Sequence, residues 1–204
     1  MTRIAVIDFE TTGLSPTQGD RATEVAIVML EGGQVVGRFQ SLMNAGVRIS
    51  SFIESFTGIT NALVAAAPPA AEVMAAASAF VGDVPMVAHN ASFDRRYWQA
   101  ELARVGLNAP QPFACTVLLS RRLYPEVRSH SLGAMAVHHC LPSAGRAHRA
   151  LADAEVAAAL LARIQADLCE RFDLAEAQHA LLMKVQACQR HAVAGVVKRH
   201  LLAV

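Results

Sequence analysis

Ile4-Ala5-Val6-Ile7-Asp8-Phe9-Glu10-Thr11-Thr12-Gly13 decides how this chain is read. Four apolar residues followed by a carboxylate describe a buried strand that ends at something polar. Side chains two apart leave a strand on the same face. Asp8 and Glu10 therefore stand side by side, and Phe9 turns the other way. Two carboxylates at the end of an apolar strand repel each other and lose hydration. A divalent cation between them removes both problems, and hard oxygen ligands suit Mg²⁺ or Mn²⁺. The bland alternative is a strand-end pair facing water. Thr11-Thr12-Gly13 follows as a turn that brings backbone close to whatever binds there.

Outward from that stretch, Glu24–Leu30 and Gln34–Leu42 flank Gly32-Gly33, which reads as a β-hairpin. The chain thus opens with a three-stranded antiparallel meander. Pro68-Pro69 precedes a helix over 70–80, and Pro85–Ala88 reads as a short strand. Ser92 is placed to cap a helix running to Val105. Residues 115–123 and 131–138 read as shorter helices, 149–168 as a long one, and 174–204 as a helical tail. Strands first, then strands mixed with helices, give an α/β domain around a mixed sheet flanked by helices.

Two further patterns carry chemistry. Asp94 lies in VAHNASFD, in the first turn of a helix, where an acid is ordinarily a response to the helix dipole. His148 and Asp153 lie five apart, some 140° around a regular helix. They can face one site only if His148 precedes the helix that contains Asp153. Residues 145–147 upstream read as loop, which allows it.

IDFETTGLSP, VAHNASFD and HRALADAEVAAALL, in this order and spacing, resemble the DEDDh (DnaQ-like) 3′–5′ exonucleases. That family includes the DNA polymerase III epsilon subunit and ribonuclease T. The resemblance covers residues 3–168 and implies an RNase H-like fold over 1–170, with 171–204 as a helical C-terminal extension. It implies that Asp8, Glu10, Asp94 and Asp153 hold two divalent cations, Mg²⁺ or Mn²⁺, and that His148 is the general base. It implies hydrolysis at the 3′ end of single-stranded DNA or RNA, releasing nucleoside 5′-monophosphates. FTGIT (56–60) resembles the segment the family places against the terminal base. Leu14 and Phe56 are then candidates to stack there, and Thr11 and Thr57 to bond the sugar or backbone. Arg95, Arg96, Arg121, Arg122, Arg128, Arg146 and Arg149 are candidates for a phosphate-facing rim, against a reading as solvated surface. A polymerase, or a second copy of the chain, is the partner expected at the helical tail. The rival reading is a non-catalytic nucleic-acid-binding or docking subunit with the same fold, against which the intact acids weigh.

Composition sets the outer limits. Hydrophobic residues make up 53% of the 204 and charged residues 17%, which excludes intrinsic disorder. Eighteen basic residues against seventeen acidic ones exclude a polybasic wrapper of nucleic acid. Any polyanion must be met by local charge or by metal ions. The most apolar stretch, 62–81, is broken by Pro68, Pro69 and Glu72, so no membrane span is expected. The opening residues meet an acid at Asp8 and do not read as a signal peptide. The expectation is a cytoplasmic protein with reduced cysteines.

Overall fold

The computed structural model describes residues 2–142 and 148–202; residues 145–147, read above as loop and with Arg146 as part of the rim, lie outside them. β1 (Arg3–Thr11), β2 (Ala22–Glu31) and β3 (Gln34–Leu42) form the antiparallel meander. Gly32 and Gly33 turn the β2–β3 corner with φ of 58° and 78°, the left-handed pair that a tight hairpin needs. β1 runs past its apolar stretch to Thr11, because Asp8 pairs with Ala26 and Glu10 with Glu24. A register shift follows between Glu10 and Thr11, where the strand ends.

α1 (Ser51–Thr57) and α2 (Asn61–Ala65) come next, and the sequence reading placed no helix over either. Both are short and signalled by caps alone. Ser50 Oγ accepts from the Ile53 amide at 3.3 Å, and Thr60 Oγ1 from that of Leu63 at 3.2 Å. α3 (Ala70–Val81), β4 (Met86–Ala88) and α4 (Ala91–Arg104) fall where expected. The cap of α4 does not. Asn90, in the left-handed region at φ 73°, occupies it, and Ser92 lies inside the first turn.

β5 (Phe113–Cys115) is a strand that the sequence reading did not assign, and the helix it began at Cys115 spans Thr116–Leu123 as α5. Three residues are too few to show a period, and all three are buried. α6 (Leu132–His138), α7 (Ala150–Phe172), α8 (His179–Ala187) and α9 (Val193–Leu201) complete the chain. The sheet order is β3-β2-β1-β4-β5, with β4 and β5 parallel to β1. This is the mixed sheet of the α/β class.

Alternation along β1 sorts two cores. Ile4 and Val6 pack with Ala154, Ala157, Leu161 and Ile164 of α7. Ala5, Ile7 and Phe9 pack on the other face with Met74 of α3 and Tyr97, Trp98 and Leu102 of α4. Buried alanines at 150, 154, 157 and 158 give α7 a low ridge that lies close on the sheet. Its face of β1 then continues, after Ile4 and Val6, into Asp8 and Glu10.

The tail packs on the same body. Leu181, Leu182 and Val185 of α8 join the α7 core. Gln186 accepts from the Cys115 amide at 2.6 Å and donates to the Phe113 carbonyl at 3.2 Å. One side chain thereby stands in for a neighbouring strand at the exposed edge of β5. No helix among the described residues is long and apolar enough to cross a membrane.

Trp98 anchors the second core. It is fully buried, and its indole N–H donates to Gln111 Oε1 at 3.0 Å, while Gln111 Nε2 donates to the Gly82 carbonyl at 2.7 Å. Trp98→Ala is expected to lower unfolding free energy by about 3–5 kcal/mol. Urea denaturation followed by circular dichroism measures this, and a loss under about 1 kcal/mol would contradict the packing described.

Candidate active site

Three elements deliver four carboxylates to one place. β1 brings Asp8 and Glu10 out on its α7-facing side, as the alternation requires. α7 brings Asp153 down onto them, and carboxylate oxygens of these three lie within 4.8 Å of one another. α4 brings Asp94 from the other layer, buried, with Oδ1 lacking any hydrogen-bond partner. An acid in a first turn ordinarily faces water; Asp94 instead sits against the Phe9 backbone of β1.

The electrostatics follow from that crowding. Burial drives the Asp8 carboxyl well above the usual range, and the charges of Asp94, Glu10 and Asp153 add to it. Burial pushes Glu10 to about 7, with Asp153 and Glu24 contributing. Burial pushes Asp94 to about 8, although its own amide and that of Phe9 favour the charged form. Burial also raises Asp153, against the His148 amide and charge. Several acids that resist ionising alone, with an unpaired buried oxygen aimed among them, form a donor set fit for hard divalent cations.

His148 precedes α7 and Asp153 lies inside it, the one arrangement that lets both face the cluster. The His148 amide donates to Asp153 Oδ2 at 3.1 Å, with His148 at φ 62°. Its ring rests on Phe56, centroids 3.9 Å apart. Phe56 is 47% exposed beside His148, and Leu14, four residues after Glu10, is 78% exposed. Phe52, one turn before Phe56 on α1, stacks on it with centroids 6.1 Å apart. The sequence reading missed Phe52, although the i, i+4 spacing of two aromatics was available.

The two threonines are placed differently from expectation. Thr57 is 1% exposed; its hydroxyl donates to the Ile53 carbonyl at 2.9 Å and accepts from the Ile59 amide at 3.0 Å. Thr11 is buried and its hydroxyl donates to the Gly13 carbonyl at 2.6 Å. Both hydroxyls hold local turns instead of standing open to a ligand.

Arg149 also differs from the rim expected of it. Its guanidinium grips buried Glu24 through both carboxylate oxygens, at 2.8 and 3.1 Å. Glu24 further accepts from the Ala150 amide at 3.1 Å and from Gln40 at 2.7 Å. Burial works against the charge on Glu24, but these bonds outweigh it and hold the carboxyl below its usual value. The pair ties β2 to the first turn of α7, four residues before Asp153. A lone acid inside the buried run ATEVAIVML was the signal, since such a group needs a partner. Arg122 is likewise engaged internally, donating to the Cys188 carbonyl at 2.6 Å.

Comparison with known proteins agrees with this geometry. A sequence profile described as exonuclease matches residues 5–161. The chain is 35% identical over 167 residues to the DNA polymerase III PolC-type protein of Bacillus cereus, covering 81% of this chain and 12% of that protein. It is 36% identical over 159 residues to the 3′-5′ exonuclease DinG of Bacillus subtilis, covering 76% and 16%. The chain thus spans between an eighth and a sixth of these relatives. Among solved structures, exonuclease X in complex with 5′ overhanging duplex DNA superposes with a TM-score of 0.68 at 31% identity, over 88% of this chain and 98% of that one. The nuclease domain of 3′hExo, a DEDDh family member bound to rAMP, superposes at 0.69 with 21% identity, over 82% and 94%, a likeness of fold. The five-stranded mixed sheet is the RNase H-like sheet of these exonucleases.

The raised carboxyls make a prediction about pH. An acid whose folded pKa exceeds its unfolded value binds protons more tightly when folded, so its contribution to stability is lost as pH rises through the folded pKa. With Glu10 near 7 and Asp94 near 8, the loss begins above the unfolded carboxylate values of about 4 and continues through the folded values, so it is still in progress above about pH 6.5. His89, pushed down to about 4 by burial, acts in the opposite sense, but only below the unfolded histidine value of about 6.5. In EDTA the melting temperature should therefore fall from pH 6.5 to 9, and Mg²⁺ or Mn²⁺ should restore it. A metal-free melting temperature that is flat or rising over that interval would contradict the clustering.

Proposed function

The chain belongs to the exonuclease family, of the DEDDh type, and from that premise we propose that it removes nucleotides one at a time from the 3′ end of single-stranded DNA or RNA. The products are nucleoside 5′-monophosphates. The observation that carries the reading is the convergence of Asp8, Glu10 and Asp153 within 4.8 Å, beside the unpartnered buried oxygen of Asp94.

Asp8, Glu10 and Asp153, with the unpartnered oxygen of Asp94, would hold the divalent ions. Two bound divalent ions, Mg²⁺ or Mn²⁺, would screen the phosphate, acidify a water and stabilise the leaving 3′ oxygen. His148 takes the proton from that water. Its backbone is already fixed to Asp153, and its ring rests on Phe56. Leu14 and Phe56 cover the terminal base, with Phe52 extending the apolar surface. Thr11 and Thr57 shape the turns that carry Leu14 and Phe56. Loss of all turnover with retained strand binding would favour the docking-subunit reading.

The PolC-type relatives support a polymerase as a partner, and α9, which ends in exposed Leu201 and Leu202, is where it or a second copy would dock.

Asp8→Asn is expected to reduce turnover to background while raising the melting temperature in EDTA, because one repelling charge leaves the cluster. His148→Ala is expected to slow turnover by about 10²–10⁴-fold with metal binding kept. Isothermal titration with Mn²⁺ separates the two roles, since a lost metal site would make His148 a ligand.

Polarity of attack is tested with end-labelled strands. A 5′-labelled oligonucleotide should shorten in a one-residue ladder in Mg²⁺ or Mn²⁺. A 3′-terminal phosphate should block it, and a circular single strand should resist. Rapid cutting of the circle would assign the site to an endonuclease.

A further inference from the structure

The carboxyl ends of β1, β4 and β5 point to one edge of the sheet. Ala5 pairs with Met86 and Val6 with Val87, so the register carried forward sets His89 beside Asp8. Ala88 pairs with Cys115, and the next step is a bond between His89 Nδ1 and Thr116 Oγ1 at 2.9 Å. Open parallel strands bind ligands beyond their carboxyl ends. Beyond β4 and β5 lies a groove of about 690 Å³, lined among others by Asn90, Arg121, Arg128, Ser129 and His130. At about 4.8 Å per strand it begins roughly 5–10 Å from the metal-binding strand. That distance is about one to three nucleotide steps, at roughly 3.4 Å of rise each for a helically stacked strand and fewer steps for an extended one.

The charge of this groove is one-sided. Among the described residues no acid lines it. Glu126, on the same connecting loop, exerts its charge on His139 instead. Arg149 holds Glu24, and Arg122 bonds backbone carbonyls of the tail. Arg21, Arg38 and Arg163 are each ion-paired. Among the described residues, Arg121 and Arg128 make neither an ion pair nor a side-chain hydrogen bond, and both line the groove. Ser129 donates to Ser131 Oγ, which also accepts from the Ala134 amide at the start of α6, so the Ser131 hydroxyl keeps its own proton to donate. Two unpaired guanidiniums beside it form a set that matches phosphate oxygens.

We propose that this groove is a phosphate subsite, in which Arg121 and Arg128 hold the backbone of the substrate strand one to three nucleotides upstream of the bond being cut. The proposal rests on the exonuclease reading for the direction of the strand. The groove itself requires only a polyanion leading away from the acids. It explains how a chain with a net charge of +1 grips nucleic acid: the cations are few and stand where the strand leaves the site. The strand's own phosphates are the ligand, and free phosphate is the competing source.

Binding separates these possibilities without turnover. Fluorescence anisotropy is measured in Ca²⁺ with 5′-labelled single strands of two and ten nucleotides, for the parent and for Arg121→Gln/Arg128→Gln. The parent should bind the longer strand at least tenfold more tightly, and the double variant should lose most of that gain. Its salt dependence should become shallower by about 0.7 in log K against log salt for each phosphate it no longer neutralises. A variant that keeps the length preference overturns the proposal. So does a parent that lacks it, or one whose binding of the longer strand is abolished by a few millimolar inorganic phosphate at constant ionic strength. Hydrolysis of a p-nitrophenyl ester of thymidine 5′-monophosphate, which has no upstream phosphate, is measured in parallel. The ratio of oligonucleotide to ester kcat/KM should fall at least tenfold in the double variant, and an unchanged ratio counts against the groove. A parent that binds strands with the predicted length preference but hydrolyses neither substrate would retain the groove and remove the exonuclease reading.

Discussion

Four carboxylates in one small volume repel each other and lose water, and the rest of the molecule is arranged around that cost. Burial alone would neutralise them, as the upward shifts of Glu10, Asp94 and Asp8 show. They are held together by well-packed elements that cannot retreat. β1 is the central strand, fixed by β2 on one edge and β4 on the other. α7 lies close to it because its first turns contribute Ala150, Ala154, Ala157 and Ala158 to the shared core. A site that is destabilised when empty and relieved when filled is a common arrangement at functional centres.

Glu24 and Arg149 solve a second problem, which is how to fix the start of α7. His148 and Asp153 both depend on where that helix begins. A fully buried carboxylate on β2 that accepts from Arg149 twice and from the Ala150 amide sets the point of entry. Removing one partner of a buried ion pair leaves the other uncompensated. The pair therefore couples the stability of the sheet to the geometry of the site, without touching the reacting atoms. The tail performs a comparable service on the far edge, where Gln186 satisfies the open backbone of β5.

The apolar surface at the mouth shows how little of the molecule need meet substrate. Leu14 stands out from a short turn and Phe52 and Phe56 from α1, and the Thr11 and Thr57 hydroxyls beside them are already bonded to backbone. His148 rests on Phe56, so the imidazole and the apolar platform occupy neighbouring positions. The helix α1 that carries the platform is held by caps at each end and has only a small core of its own, around Ile49, Ile59 and Val64.

The sequence by itself determined the sheet's opening meander, the long helices and the Asp8–Glu10 pair, because each has a local signature; Asp94 and Asp153 stood out only through the resemblance carried by the three motifs together. Alternation along Ile4–Glu10 fixes which side chains share a face, and Gly32-Gly33 fixes the hairpin. Five-residue spacing between His148 and Asp153 required a helix to begin between them, and α7 begins at Ala150. Tertiary structure alone decided the remainder, because it depends on partners distant in the chain. β5 is a strand because β4 lies beside it, not because three residues show a period. Asp94 is a buried member of the cluster because α4 packs on β1; its position in a first turn could not say so. Thr57 is spent inside its own turn, and Arg149 turns inward to Glu24, 125 residues away. Local pattern specifies which face a side chain takes. Whether that face meets water, a ligand or another charge is set by what packs against it.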